Sequence, residues 1–297
     1  MKVRAPGKVV LSGAYAVLER APAIVAAVDR YVLADTERPA LFVTPEVRCA
    51  VGVERAPYID ASSLRSGDRK LGLGSSAAMV VAALAALTFA EHPELDEATV
   101  AERVLPTALR AHREAQGGGS GIDVATSALG LTRVCWLDNT GKVLSRELTL
   151  PEGVHIDVYS SSTAASTSDM LARVRVFARS NGAGYTDIIA TLTDAARRAV
   201  NATKPQNFTE ALRDQVVGLS SLGDWSNAPI VPEWLREIAG RAHPDGVVVM
   251  PSGAGGGDVV LCVGARDACE AWRAQMTQAG LLRLELKIGA RGVHRVD

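Results

Sequence analysis

Apolar positions in this chain come in short blocks between turn residues, and the spacing inside each block predicts its element. Val9-Val10-Leu11 is a continuous apolar run closed by Ser12-Gly13, and residues 24–28 form a second run, so the start reads as strand, turn, strand. Residues 55–69 are polar and rich in turn formers, which predicts a surface loop. Residues 77–90 are apolar almost throughout, the pattern of a buried helix, and Pro93 ends it. A second helix is predicted over 97–114, with Pro106 inside it as a kink. Residues 116–121 form a glycine loop, 122–129 a helix and 131–137 a strand, and Asp138-Asn-Thr-Gly141 is a hairpin turn. Past Pro151 the pattern predicts a strand at 155–160 and helices at 168–179, 185–200, 208–222 and 231–242. Strands at 247–250 and 259–263 flank Pro251-Ser-Gly-Ala-Gly-Gly-Gly-Asp258, and a helix at 268–279 leads to a last strand at 282–286. Strands and helices mixed in both halves predict an α+β architecture, with a boundary that separates 1–150 from 151–297.

Composition narrows the class. A chain of 297 residues with 47% hydrophobic and 22% charged residues is that of a globular protein of one large or two ordinary domains. Its net charge of −1 and aromatic content of 4% give no footprint for nucleic acid or for an anionic membrane. No segment approaches the roughly 18 apolar residues of a membrane span, and MKVRAPGKVV lacks the apolar core of a signal peptide. Cys49, Cys135, Cys262 and Cys269 are widely spaced, without a CxxC or Cys/His cluster, which argues against structural zinc. These readings predict a cytoplasmic protein with reduced thiols, three of them as small core residues.

The candidate chemistry lies in Lys70-Leu-Gly-Leu-Gly-Ser-Ser-Ala-Ala-Met79. Two glycines and two hydroxyls stand directly before the apolar helix. Glycines let backbone approach a ligand closely, and a helix start offers unpaired N–H groups and partial positive charge. Together they make a phosphate site. GLGSSA formally fits a dinucleotide fingerprint, but the residues before it, Arg65-Ser-Gly-Asp-Arg-Lys70, are polar where that fingerprint needs a buried strand. No G-x-x-x-x-G-K-[ST] occurs, so a P-loop is excluded. Two further glycine segments, Ala115-Gln-Gly-Gly-Gly-Ser-Gly-Ile-Asp123 and Ser252-Gly-Ala-Gly-Gly-Gly257-Asp258, join Pro6-Gly7-Lys8 in pointing to a phosphorylated ligand.

Ala5-Pro-Gly-Lys8, Gly72-Leu-Gly-Ser-Ser-Ala-Ala78, Gly119-Ser-Gly-Ile-Asp123 and Ser252-Gly-Ala-Gly-Gly-Gly257 stand in one order across the chain. In that order and at that spacing they resemble the GHMP kinase superfamily, whose members include galactokinase, homoserine kinase, mevalonate kinase and phosphomevalonate kinase. The phosphomevalonate kinase family is the most similar branch, on Ala5 to Glu19, on Lys70 ahead of the glycine motif, on Ala164-Ala-Ser-Thr-Ser168 and on Asp258 after the third glycine run. The resemblance implies a two-domain fold with an N-terminal domain like domain 2 of ribosomal protein S5 and a ferredoxin-like C-terminal domain. It also implies ATP and Mg2+ as cofactors, a small phosphorylated substrate and a monomer or homodimer.

By the same resemblance Lys8 and Asp123 are the catalytic pair. Lys8 would bridge the acceptor and the transferred phosphoryl group; Asp123 would act near the acceptor oxygen, as a base or as an orienting group. Lys70, Gly72, Leu73, Gly74, Ser75, Ser76 and Ala77 would wrap the ATP phosphates, with Ser75 or Ser76 on Mg2+. Ser120, Gly121, Ser166, Thr167 and Ser168 would hold the substrate, Tyr15 would line its carbon chain, and Arg69 would clamp an anion. Gly255 and Gly256 would close over the site. Glu114 is a loose candidate for a second metal-linked carboxylate, while His112, two residues earlier, reads as packing. Mevalonate kinase, homoserine kinase, the related decarboxylase and a non-catalytic binding protein of the same fold stay open as alternatives.

Overall fold

The computed structural model describes residues 1–162 and 167–296. Its first half holds β1 (Lys2–Ser12), β2 (Ala23–Pro39), α1 (Pro45–Val51), β3 (Pro57–Asp60), β4 (Arg65–Ser66), β5 (Arg69–Lys70), α2 (Ser75–Glu91), α3 (Glu97–Gln116), α4 (Ile122–Leu129), β6 (Thr132–Leu137) and β7 (Val143–Glu147). Its second half holds β8 (His155–Ser160), α5 (Thr167–Ser180), α6 (Gly182–Asn201), α7 (Pro205–Ser226), α8 (Glu233–Ala242), β9 (Val248–Pro251), β10 (Val259–Gly264), α9 (Arg266–Gln278), β11 (Leu282–Leu284) and β12 (His294–Arg295). The architecture is α+β, as the pattern predicts.

β1 and β2 run far beyond the apolar cores predicted at 9–11 and 24–28. Lys2 and Arg4 point to solvent while Val3 and Ala5 are buried, so the outer part of β1 alternates and a search for continuous apolar runs passes over it. These two strands form the centre of an antiparallel sheet ordered β12-β1-β2-β6-β7, with β3 also paired to β2. The predicted loop at 55–69 is therefore corrected. It contains edge strand β3, whose polar residues are tolerated because it is only half buried, and the first strand of the small β4–β5 hairpin. Thr44 caps α1, an element the periodicity does not reveal, by accepting from Val47 N, and Pro45 opens it. α3 runs unbroken through Pro106.

The second sheet is ordered β11-β8-β10-β9. Behind it, Asp157 on β8 is 3% exposed and accepts from Arg273 Nε at 2.9 Å and Arg283 Nε at 3.1 Å. Burial raises its pKa, but the two guanidinium groups outweigh that and hold the carboxyl below its ordinary value. Cys135, Cys262 and Cys269 are buried and Cys49 is exposed, all as free thiols.

One apolar core packs the β1–β2 sheet on α2, whose residues are buried almost all round, and continues to Phe208 and Leu212 on α7 and Val248 and Met250 on β9. A second core joins α5 to α9 and takes in Tyr15 and Ala16 from the turn after β1. The chain end returns to the first sheet, where His294 pairs with Arg4 and Arg295 with Val3. Between the two cores, Gln215 of α7 is 1% exposed, accepts from Gly13 N at 2.8 Å and donates to Ser12 Oγ at 2.6 Å. Ser252, just after β9, accepts from Val10 N at 2.9 Å and donates to Val10 O at 3.2 Å. These buried bonds pin the third glycine segment to the strand that carries Lys8.

Candidate active site

Three helix starts converge on one cavity of about 600 Å³. α2 begins after Gly74 (φ 76°) and α4 after Gly121 (φ 80°). Both glycines are left-handed, and neither has a side chain to cap the first N–H groups. Apart from Val124 N, which donates to Asp123 Oδ1, those donors are left for a ligand, with the positive end of each helix behind them. The start of α5 contributes Thr167 and Ser168 to the same wall.

Lys8 enters from β1. Its backbone N donates to Leu73 O at 2.8 Å, so the glycine loop lies directly on the strand. A Cβ at Gly74 would stand 3.0 Å from Lys8 Cγ and Cε, so the missing side chain at 74 is the channel in which the lysine runs. Arg69 and Lys70 line the cavity from β5, and Arg69 donates to Ser161 O beyond β8. Tyr15 is 4% exposed and donates its hydroxyl to Ala254 O at 2.6 Å. Burial raises its pKa, so the phenol stays neutral. It holds φ 62°, ψ −50°, an uncommon backbone for a non-glycine residue, as the chain turns out of β1.

The cavity wall thus brings together Lys8, Tyr15, Arg69, Lys70, Gly72, Gly74, Ser75, Ser76, Ser120, Gly121, Asp123, Thr167 and Ser168 of the residues expected from sequence. Leu73 and Ala77 are buried in the core at 1% and 0% exposure, so their side chains face away and only their backbone serves the loop. Ser166 lies outside the described residues. Gly255 and Gly256 are corrected: Gly253 and Ala254 form the wall, and the next two glycines sit behind them, where Gly256 N donates to Ile230 O at 3.0 Å.

α3 gives a second correction. Glu114 is exposed and off the cavity wall, whereas His112 and Gln116, one helical turn apart, lie on it. Gln116 donates to Glu46 of α1. His112 is 7% exposed, with Nε2 at 3.1 Å from Ser76 Oγ and 3.7 Å from Asp123 Oδ2. Asp123 Oδ1 accepts from Val124 N at 2.9 Å. His112 and Gln116 stand at i and i+4, but nothing in that spacing marks their face of α3 off from any other.

Asp258 also lines the cavity, and a Cβ at Gly72 would meet its Oδ2 at 2.6 Å. Burial raises the Asp258 pKa, opposed by the Val259 N–H and by the charges of Lys8 and Arg69. A carboxyl whose pKa is raised in the folded state costs no stability below the ordinary 3.8, where both states are protonated, costs increasingly more from there up to the folded value, and costs a constant amount above it. Asp258→Asn is therefore expected to melt at or above the parent temperature at pH 7, with the difference shrinking toward pH 4. A calorimetric series that shows a lower Tm at pH 7 would reject this.

Residues 58–131, which carry the glycine loop, α2, α3 and Asp123, match the GHMP kinases N terminal domain. The chain is 28% identical over 260 residues to a phosphomevalonate kinase of Streptomyces sp. (strain CL190), covering 78% of this chain and 68% of that protein. It is 27% identical over 311 residues to a mevalonate kinase of Methanothermobacter thermautotrophicus, covering 94% and 98%. Among solved structures, the Lin0012 protein of Listeria innocua superposes with TM-score 0.85 at 21% identity over 100% of both chains. Streptococcus pneumoniae phosphomevalonate kinase in complex with phosphomevalonate and AMPPNP superposes with TM-score 0.75 at 17% identity, covering 97% and 99%. At these identities the structural likeness is one of fold: two domains, α+β. With that fold, and with residues 58–131 matching the GHMP kinases N terminal domain over the loop and helices that shape the cavity, the chain is similar to the GHMP kinases.

Proposed function

We propose that this chain transfers the γ-phosphoryl group of ATP to the phosphate of 5-phosphomevalonate, giving 5-diphosphomevalonate and ADP. The observation that carries the reading is the single cavity in which Lys8, Arg69 and Lys70 face the starts of α2 and α4. Phosphoryl transfer rests on positioning and on neutralising charge over the phosphoryl oxygens. Two anionic groups must be held close together, and the site supplies cations and open N–H groups from several directions. A relative named as a phosphomevalonate kinase supports the acceptor, and one named as a mevalonate kinase makes an alcohol acceptor the second reading.

In this reading the glycine loop and the start of α2 cradle the nucleotide phosphates, and Lys8 spans donor and acceptor. Arg69 takes the acceptor side, with Thr167 and Ser168 opposite. Ser75 and Ser76 hydroxyls and the Asp123 carboxylate are hard oxygen donors on one wall, which suits Mg2+. Among the described residues no three His, Cys, Asp or Glu side chains are grouped to hold a metal, so the ion would be shared with the nucleotide. When bound, Mg2+ offsets negative charge on the transferring group. Asp123 orients Lys8 and the acceptor, because a phosphate acceptor, with second pKa about 6, is already ionised at neutral pH.

The test is ADP release with ATP and Mg2+ against mevalonate, 5-phosphomevalonate, homoserine and galactose. Turnover confined to 5-phosphomevalonate is expected. Turnover confined to mevalonate would overturn the acceptor and keep the cavity's role. No turnover with any acceptor, in a protein that binds ATP, would favour a binding function.

A further inference from the structure

Ser76 and Asp123 occupy the same place on different helices. Each is the second residue of its helix, α2 or α4, and each helix starts from a left-handed glycine without a side-chain cap. A serine or aspartate in that place has a competing use: its oxygen can fold back onto the open N–H groups of its own helix. Asp123 already does so in part, through Oδ1 to Val124 N at 2.9 Å. What remains for the cavity is Asp123 Oδ2 and Ser76 Oγ, and both lie against one atom, His112 Nε2, at 3.7 and 3.1 Å.

His112 is suited to hold them. It belongs to α3, which packs on both α2 and α4, and at 7% exposure its ring has little room to turn. Other polar side chains near this end of α3 are otherwise placed. Glu114 is turned to solvent, Gln116 is bonded to Glu46, and Arg113 donates to Ser120 O at 3.1 Å and Gly141 O at 2.9 Å. With its hydrogen on Nε2 the ring donates to Ser76 Oγ and turns the same N–H toward the Asp123 carboxylate, whose charge favours that tautomer; with the hydrogen on Nδ1 it would still accept the serine O–H but would set a lone pair against Oδ2.

We propose that His112 is a positioning residue that ties Ser76 of α2 to Asp123 of α4, so that hydroxyl and carboxylate face the cavity in one fixed arrangement. Without the ring, the serine turns back to its own helix, and the two oxygens no longer present a joint surface to a cation or a transferring phosphoryl group. The inference rests on the kinase reading for its effect on rate, but not for its effect on cation binding.

The test compares His112→Phe, which keeps a flat ring without its nitrogens, with His112→Gln, which keeps a polar group. Mn2+ binding to the complex with a non-hydrolysable ATP analogue is followed by electron paramagnetic resonance, alongside kcat and KM. Removing an outer partner of a metal or catalytic group costs about 10- to 100-fold. The Phe variant is expected to bind Mn2+ about 10-fold more weakly and to lose kcat by a similar factor, with acceptor KM little changed. Gln is expected to recover part of both. Ser76→Ala combined with His112→Phe is expected to be no worse than the poorer single variant, since the two act as one unit. Wild-type Mn2+ affinity in the Phe variant, a Gln variant no better than Phe, or fully multiplicative losses would each overturn the proposal. If Phe prevents folding, the Gln variant and its combination with Ser76→Ala carry the same comparison. Weakened Mn2+ binding in a protein that phosphorylates none of the four acceptors would support the positioning role and reject the acceptor reading.

Discussion

Lys8→Met is expected to lower kcat by about 10²- to 10³-fold, the loss that follows removal of a preorganised group aimed at developing negative charge. The reason is placement. Lys8 is fixed at its backbone, where its N–H bonds Leu73 O, and along its stem, which runs through the space that glycine leaves at 74. Its ammonium therefore reaches the cavity in a set direction, between the glycine loop and Gly253, at low entropic cost. Methionine keeps most of the stem's packing and removes only the charge, so Tm is expected to stay near that of the parent. ATP affinity is expected to fall much less than kcat, because the open N–H groups of α2 and the loop still hold the nucleotide. Steady-state kinetics with nucleotide titration would check this. A variant with parental kcat would remove Lys8 from the chemistry, and one with equal losses in ATP affinity and turnover would make it a nucleotide anchor.

Those parts of the site were legible in sequence whose chemistry depends on local backbone. Gly72, Gly74 and Gly121 all take positive φ, and each stands beside the residues that line the cavity, so the glycine pattern marked both the turns and the helix starts. Partners that meet only through tertiary packing were not legible. Asp258 faces Gly72 from the other end of the chain, and His112 joins Ser76 to Asp123 only because three helices pack at one corner. No local rule separates His112 from an ordinary core histidine. Ser252 and Gln215 carry the buried bonds that set the third glycine segment and α7 against β1, yet each reads alone as an unremarkable polar residue. Elements followed the same division. Apolar α2 was legible, whereas edge strand β3 and the alternating outer part of β1 carry their signal on one face only.

Asp123→Asn separates the two readings of the acceptor. If the acceptor is a phosphate, its second ionisation, near pH 6, is complete before the working range, and no proton has to be removed during transfer. Asp123 then acts by charge and position, with Oδ1 on Val124 N and Oδ2 beside His112. Asparagine can keep the first bond but not the charge. The expected result is a fall in kcat of roughly 10²-fold that is uniform from pH 7 to pH 9, over a parental profile that is itself flat there. An alcohol acceptor predicts otherwise: a general base contributes about 10²- to 10⁴-fold, and part of its loss is recovered as rising hydroxide takes over the proton. A pH–rate comparison of the two proteins therefore decides what Asp123 does and, with it, which class of acceptor oxygen stands in front of Lys8. A loss that narrows steadily above pH 7 would reject the phosphate acceptor even if 5-phosphomevalonate were turned over slowly.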